Sequence, residues 1–373
     1  MRIGSWYCMN GLTWVFGSLI TYGLAKIDSH MKPYQIIFLF FGLVTVAVAV
    51  VMFFRMPDSP TEAKFLSDDD KVLAIERLRG NQMGVMSRQW RSAHFFEALG
   101  DPKTWLWFVL IFCVSVPSNG ISTYGPLIVN SFVSDPFHAM LFNVPVGLSH
   151  VVAVSSSAFL AMKWKRKGPV IVLLCVPPII GLAILLRFPH DDPSCRPVLL
   201  AGYFCLSTFT GITPLIYSWS SQNTAGDTKR KTTSALVFVG ASAGNVVGPL
   251  LFRPDDAPAY ARGTSVNLVL FVVAMVLVAV TSLHLGRLNR RHGRRRVLAG
   301  KDAVVADVSL ETAEEAERME TLRQRQRPPV QRDQPGGLDG NGDHRPPCSG
   351  ASKASKSFTD ATDLENEDFI FVY

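Results

Sequence analysis

The sequence predicts an all-α polytopic membrane protein with about eight transmembrane helices. Three observations carry that prediction. Uncharged apolar runs of about 20 residues recur along the chain, and that length crosses the ~30 Å hydrocarbon core of a bilayer. Lys and Arg gather in alternate loops, as they do where successive loops lie on opposite sides of a membrane. The apolar character stops near Leu285, and a stretch rich in charge, Gly, Pro, Ser and Gln follows.

The spans fall at 4–24, 35–54, 105–129, 143–161, 170–186, 198–220, 234–252 and 265–285, and none contains Asp, Glu, Lys or Arg. The first holds Trp6, Asn10 and Trp14 behind a lone Arg2. No small-residue cleavage site follows it, so it reads as a span and not a signal peptide. The second is a nearly pure Phe, Val and Leu run. The third carries Pro117 and Gly120, a pair expected to break the helix and free backbone groups. The fourth contains His150. The fifth is a Leu, Ile and Pro run, and the sixth contains Gly211 and Pro214. The seventh has Gly240, Gly244 and Gly248 at every fourth position, which predicts a smooth face for close helix approach. The eighth ends at a basic run, with six arginines between Arg287 and Arg296.

Orientation follows from the loops. Those after spans two, four and six hold eight, four and three Lys and Arg residues; those after spans one, three, five and seven hold two, none, two and two. Positive loops stay inside, so both termini are expected in the cytosol. The net charge of +7 is therefore a topology signal and gives no case for nucleic acid. Of six cysteines, Cys8, Cys113, Cys175 and Cys205 lie in spans, Cys348 lies in the tail and Cys195 alone faces outward. That excludes an extracellular disulfide framework. No metal-ligand spacing is present, and neither metal nor cofactor is expected. Between spans two and three, residues 67–79 read as a short amphipathic helix, with Ser67 as N-cap, aspartates in the first turn, and Arg77 and Arg79 at the far end.

Several stretches carry a resemblance. They are Arg2-x-x-x-Trp6-Tyr7-x-x-Asn10-Gly11, then Pro57-Asp58-Ser59-Pro60, then Glu97-Ala98-Leu99-x-Asp101-Pro102-Lys103-x-Trp105. Further on come Trp219-x-x-x-Asn223-x-x-Gly226-x-x-Lys229-Arg230, Gly244-Asn245-x-x-Gly248-Pro249, and the terminal Thr359-Asp360-x-Thr362-Asp363-x-Glu365-Asn366. In this order and spacing the chain resembles the fungal allantoate permease family of anion:cation symporters, within the major facilitator superfamily. The resemblance implies a major facilitator fold that lacks its first four helices, so that the eight spans are equivalent to helices five to twelve. On that reading 1–54 are the last two helices of the amino-terminal half and 55–104 the cytosolic central loop. Residues 105–286 are the six-helix carboxyl-terminal half, and 287–373 a cytosolic, largely disordered tail.

Substrate sites in such transporters lie near the membrane midplane between the halves. Ser118, Asn119 and Tyr124 in the third span, and Thr210, Thr213 and Tyr217 in the sixth, are the candidate substrate-binding residues; the third-span set also reads as a packing kink with its polar groups paired to neighbouring helices, and Tyr217, near its span's end, also reads as an interface anchor. Gly240, Gly244 and Gly248 are assigned to helix packing. Lys165, Arg166, Lys229 and Arg230 read either as gating contacts or as positive charge beside anionic lipid. His150 reads as a packing histidine or as a proton-coupling group. The resemblance implies transport of a small organic anion (allantoate or another ureide, nicotinate, pantothenate or a similar carboxylate) by alternating access, ion-coupled and involving protons, in the plasma membrane. The alternative is a non-transporting remnant or a modulator of a full-length transporter. An enzyme is disfavoured, because no intramembrane His, Asp, Glu or Cys set stands in a catalytic arrangement.

Overall fold

The computed structural model of the chain describes residues 2–57, 63, 65–71, 89–130, 143–189, 192–256, 260–298 and 360–373. Among them are ten α-helices and no strand. These are α1 (Arg2–Ala25), α2 (Pro33–Arg55), α3 (Ser92–Gly100), α4 (Pro102–Asn130), α5 (Asn143–Trp164), α6 (Gly168–Arg187), α7 (Arg196–Leu206), α8 (Ile212–Gln222), α9 (Asp227–Leu250) and α10 (Ala261–Leu298). Pro33, Pro102, Pro169 and Pro197 each occupy the first or second helical position, where the missing N–H costs nothing.

Among the described residues, seven stretches are long and apolar enough to cross a membrane: α2, Pro102–Thr123, Val144–Trp164, α6, Arg196–Gln222, α9 and α10. The protein is a multi-pass integral membrane protein. The eighth expected span, α1, is helical over 24 residues but is not among the seven. Ser5, Asn10, Thr13, Ser18 and Thr21 dilute its hydropathy. Gly4, Cys8 and Gly11 line the side that meets α5. A Cβ on Gly11 would lie 2.7 Å from the Gly147 carbonyl oxygen, and one on Gly147 would lie 2.8 Å from that of Gly11. The Cys8 thiol reaches the Val151 carbonyl at 3.5 Å. By contrast α2 buries no residue.

The core gathers between α4, α6, α8 and α10. Trp107, Leu110 and Ile111 meet Val170 and Ile171, Ile212, Ile216 and Trp219, and Phe271 and Ala274. Trp107 and Trp219 meet edge to face, 4.9 Å between centroids. In lipid, such helices are held by close packing and by hydrogen bonds more than by water exclusion.

Two expectations need correction. The break foreseen at Pro117 is absent, because α4 runs unbroken through it. The break falls in the sixth span instead, where α7 and α8 are separated by a 3₁₀ turn at Ser207–Gly211. There the hydroxyls of Ser207, Thr208 and Thr210 donate to the carbonyls of Phe204, Cys205 and Ser207, which tightens the turn and competes with α-helical pairing. The tail expected from 287 onward is ordered where it is described: α10 continues through the arginine run to Leu298, and residues 360–373 pack against the bundle; residues 299–359 lie outside the described residues. Of the amphipathic helix expected at 67–79, only the first turn is described. The Ser67 hydroxyl accepts from the Asp70 N–H at 3.2 Å, as an N-cap does, and residues 72–79 lie outside the described residues.

Candidate functional site

Two polar regions stand out, one between α1 and the carboxyl-terminal helices, the other at one end of the bundle. In the first, the Tyr7 hydroxyl of α1 lies near Thr213 of α8, with Tyr217 one turn further along α8 and close to Tyr7. Tyr217 in turn stacks on Phe238 of α9, 5.3 Å between centroids. A polar pair thus bridges the first helix and the broken sixth span. Nearby, Trp14, Ser122, His150, Tyr203 and Ser207 line a small pocket of about 20 Å³, room for about one water. His150 sits edge-on to Trp14 at 5.9 Å and beside Phe209 at 6.2 Å.

The expected substrate residues divide. Thr213 and Tyr217 are brought together, with Tyr7 as a partner that sequence reading missed. Thr210 spends its hydroxyl on the Ser207 carbonyl at 2.9 Å. The Asn119 amide donates to the Asn245 carbonyl of α9 at 2.6 Å, so it joins α4 to α9. Ser118 is half-buried one residue before it, and the side chain of Tyr124 lies outside those described. Gly240, Gly244 and Gly248 all face α4. A Cβ on Gly240 would come within 2.9 Å of the Phe108 carbonyl, and one on Gly244 within 2.8 Å of the Ser115 Cβ.

The second region is built around two lysines with no exposed side-chain surface. Lys103 opens α4 and Lys229 lies in the first turn of α9. Asp363, also fully buried, pairs with both, at 3.1 Å to Lys229. Lys229 also pairs with Asp101 and Glu97, each at 2.9 Å, and Lys103 donates to the Asn223 carbonyl at 2.7 Å. Burial pushes the Asp101 carboxyl up, but Lys103 and Lys229 more than offset this and hold it below its ordinary value of 3.8. Three carboxylates and the Asn223 carbonyl thus surround two cations, which is what keeps buried charge tolerable.

Asp363 belongs to the terminal segment 360–373, which crosses the ends of four helices as a strap. Asn223 at the end of α8 makes a two-way pair with Val372: its side-chain oxygen accepts from the Val372 N–H at 2.8 Å, and its amide donates to the Val372 carbonyl at 3.0 Å. Asn289 of α10 repeats the pattern with Phe371, at 2.8 and 2.7 Å. The Trp219 indole donates to the Val372 carbonyl at 2.7 Å. Arg295 and Arg296 donate to the carbonyls of Leu364 and Glu367. At the turn before α9, Gly226 has φ +87°, and a Cβ there would lie 3.2 Å from Thr362. Glycine therefore serves both the backbone conformation and the seating of the strap.

Of the four basic residues singled out by sequence, Lys229 is the buried cation of this cluster. Arg230 is half-buried beside it. Lys165 sits after α5's last turn at φ 53°. Arg166 lies over the Tyr373 ring at 5.7 Å. Sequence reading did not foresee that the tail motif and the Glu97–Lys103 motif meet. The available signal was the acidity of the tail motif against the positive charge of Lys103 and of Lys229–Lys231.

Comparison with known proteins agrees with this architecture. An uncharacterized transporter of Schizosaccharomyces pombe, C757.13, is 31% identical over 329 residues, covering 88% of this chain and 60% of that protein. The allantoate permease of Saccharomyces cerevisiae is 28% identical over 306 residues, 79% of this chain and 55% of its own length. The thiamine pathway transporter THI73 of the same yeast is 28% identical over 297 residues, again 79% and 55%. The chain therefore spans a little over half the length of these relatives. No solved structure matches it. Residues 1–249, more than half of the chain, match one family, and on that ground the chain belongs to the Major Facilitator Superfamily.

Proposed function

We propose that the protein takes part in transmembrane transport of a small organic anion, by alternating access and coupled to an ion such as the proton, in the plasma membrane with both termini cytosolic. The observation that carries the substrate class is the similarity to a protein named allantoate permease over 79% of this chain; a ureide, nicotinate, pantothenate or a similar carboxylate is the class of solute to test. The orientation rests on the uneven distribution of Lys and Arg between alternate loops. The site we assign to the solute is the seam between α1 and α8, where the Tyr7 and Thr213 hydroxyls meet and Tyr217 stands beside them. Uncharged donors at such a seam suit a carboxylate oxygen and leave the helices free of intramembrane charge.

The test is uptake of radiolabelled allantoate, nicotinate and pantothenate by cells that lack their own carriers and express this chain. Uptake of one solute above vector controls, lowered about tenfold or more by Thr213→Val or Tyr7→Phe with unchanged membrane expression, is the expected result. Full uptake in both variants removes the seam from the site. Uptake of none of the three overturns the substrate class.

A further inference from the structure

We propose that the cleft between α10, the turn after α5 and the carboxyl-terminal strap binds a polyanionic phosphate group. The cleft encloses about 860 Å³, and five of its lining residues are basic: Lys165, Arg166, Arg287, Arg290 and Arg296. None is acidic. Among the described residues, the side chains of Arg287 and Arg290 have no ion-pair or hydrogen-bond partner, unlike the lysines under the strap, which are neutralised by three carboxylates. Like charges gathered around a concave space repel one another, and a multivalent anion relieves that repulsion.

Position adds a second argument. The cleft runs from Ser282 and Leu283, in the apolar part of α10, to Arg290 and Arg296 in its basic part. It therefore straddles the boundary where a phospholipid's phosphate would sit, with apolar wall on one side and guanidinium groups on the other. The other wall is the strap itself, through Ile370, Phe371 and Tyr373, with Arg166 over the Tyr373 ring. An occupant would touch α10 and the strap together. Binding and strap docking are then coupled, and by reciprocity each strengthens the other.

The experiment uses the full chain in nanodiscs of phosphatidylcholine, with and without phosphatidylinositol phosphate, and adds inositol bisphosphate as the soluble counterpart. The expected result is saturable binding of one or both phosphorylated probes, weakened about 10- to 30-fold in R287Q/R290Q. The control R291Q/R294Q removes the same charge from the same helix outside the cleft and should change binding less than about twofold. Binding of the lipid alone names a headgroup as the ligand; equal binding of inositol bisphosphate names a soluble anion. Hydrogen exchange of wild-type protein gives a readout that does not depend on any variant folding: the bound probe should slow exchange at the Phe371 and Val372 amides. Equal loss in both variants, or no phosphorylated probe bound above phosphatidylcholine alone, or strap exchange untouched by a bound probe, overturns the proposal.

Discussion

Asp363→Asn tests the strap most directly. The substitution keeps the shape and removes one negative charge from a cluster in which Asp363, Lys103 and Lys229 have no exposed side-chain surface. Removing one partner of a buried pair costs about 3–5 kcal/mol when it leaves a charge unmatched. Here the match is partly kept. Lys229 retains Asp101 and Glu97, each at 2.9 Å, and Lys103 retains the Asn223 carbonyl at 2.7 Å and Asp101 at 3.6 Å. Two cations still face two carboxylates, so the cost falls to about 2–3 kcal/mol. A ceiling also applies. If the strap lifts, water reaches both lysines, and the loss cannot exceed the free energy of docking. The protein therefore responds by local opening before global unfolding. The assay is hydrogen exchange at the Phe371 and Val372 amides, which are bonded to Asn289 and Asn223. A cost of about 2–3 kcal/mol is a rise of about 30- to 150-fold in exchange rate, while amides in the middle of α4 and α9 stay protected. Exchange at the strap within about twofold of wild type would refute the reasoning, since it would mean that the charge cluster does not hold the segment down.

The remaining predictions follow from the same geometry. The Asp101 carboxyl is held below 3.8 by Lys103 and Lys229; a depressed folded value means its contribution is complete above 3.8 and is lost as pH falls through the lower folded value. Strap protection by Asp101 should thus be flat from neutral pH down to about 4, and a midpoint above pH 5, read from Trp219 fluorescence, would contradict this. Gly244→Val places a branched side chain where even a Cβ would lie 2.8 Å from the Ser115 Cβ; thermal unfolding should show a loss of about 1–3 kcal/mol, whereas Gly17→Ala, with nothing within 4 Å of its Cβ, should be close to neutral. Asn119→Ala removes the hydrogen bond to the Asn245 carbonyl and should cost about 1 kcal/mol of stability without changing uptake; a selective loss of uptake at equal stability would return Asn119 to the substrate site.

Hydropathy made the spans legible because a bilayer admits few alternatives: a long uncharged run has to be a helix. The glycine spacing in the seventh span was legible for a similar reason, since three small residues at every fourth position occupy one face. The broken sixth span was harder. Gly211 and Pro214 suggested irregularity, but the 3₁₀ turn is made by the hydroxyls of Ser207, Thr208 and Thr210, and hydroxyls bonded to the preceding carbonyls look in sequence like ordinary polar positions. Pro117 misled in the opposite sense, because the helix around it is held by neighbours on both sides: Val114 and Val116 are fully buried, and Gly120 lies against Phe252 and Gly248. The strap was the least legible element. Its composition is that of a disordered tail, and its partners are up to 260 residues away in the chain. Only the match between an acidic terminal motif and basic helix ends hinted at a meeting.

The strap changes how the bundle can move. It bonds to the start of α9 through Asp227 and Asp360, to the end of α8 through Asn223, to α10 through Asn289, and to the first residues of α4 through Lys103. Four helix ends are thereby tied by one segment, through polar bonds and through Phe369 and Phe371, which join the apolar core. A helix end held only by its own bundle contacts is free to fray or tilt; one held through buried lysines and paired backbone groups is not. The ends of α4, α8, α9 and α10 must then shift together or release the strap. The seam between α1 and α5 has no such tie. Among the described residues its contact is close backbone approach at Gly11 and Gly147, thiol contacts from Cys8 to Val151 and Ser155, and the Trp14–His150 ring pair, none of them an ion pair, so it resists displacement less than the strap does. If the protein alternates between two states, the seam is where displacement is cheapest, and the Tyr7–Thr213 pair lies on its edge. A solute bridging those two hydroxyls would therefore sit where its binding can bias the motion.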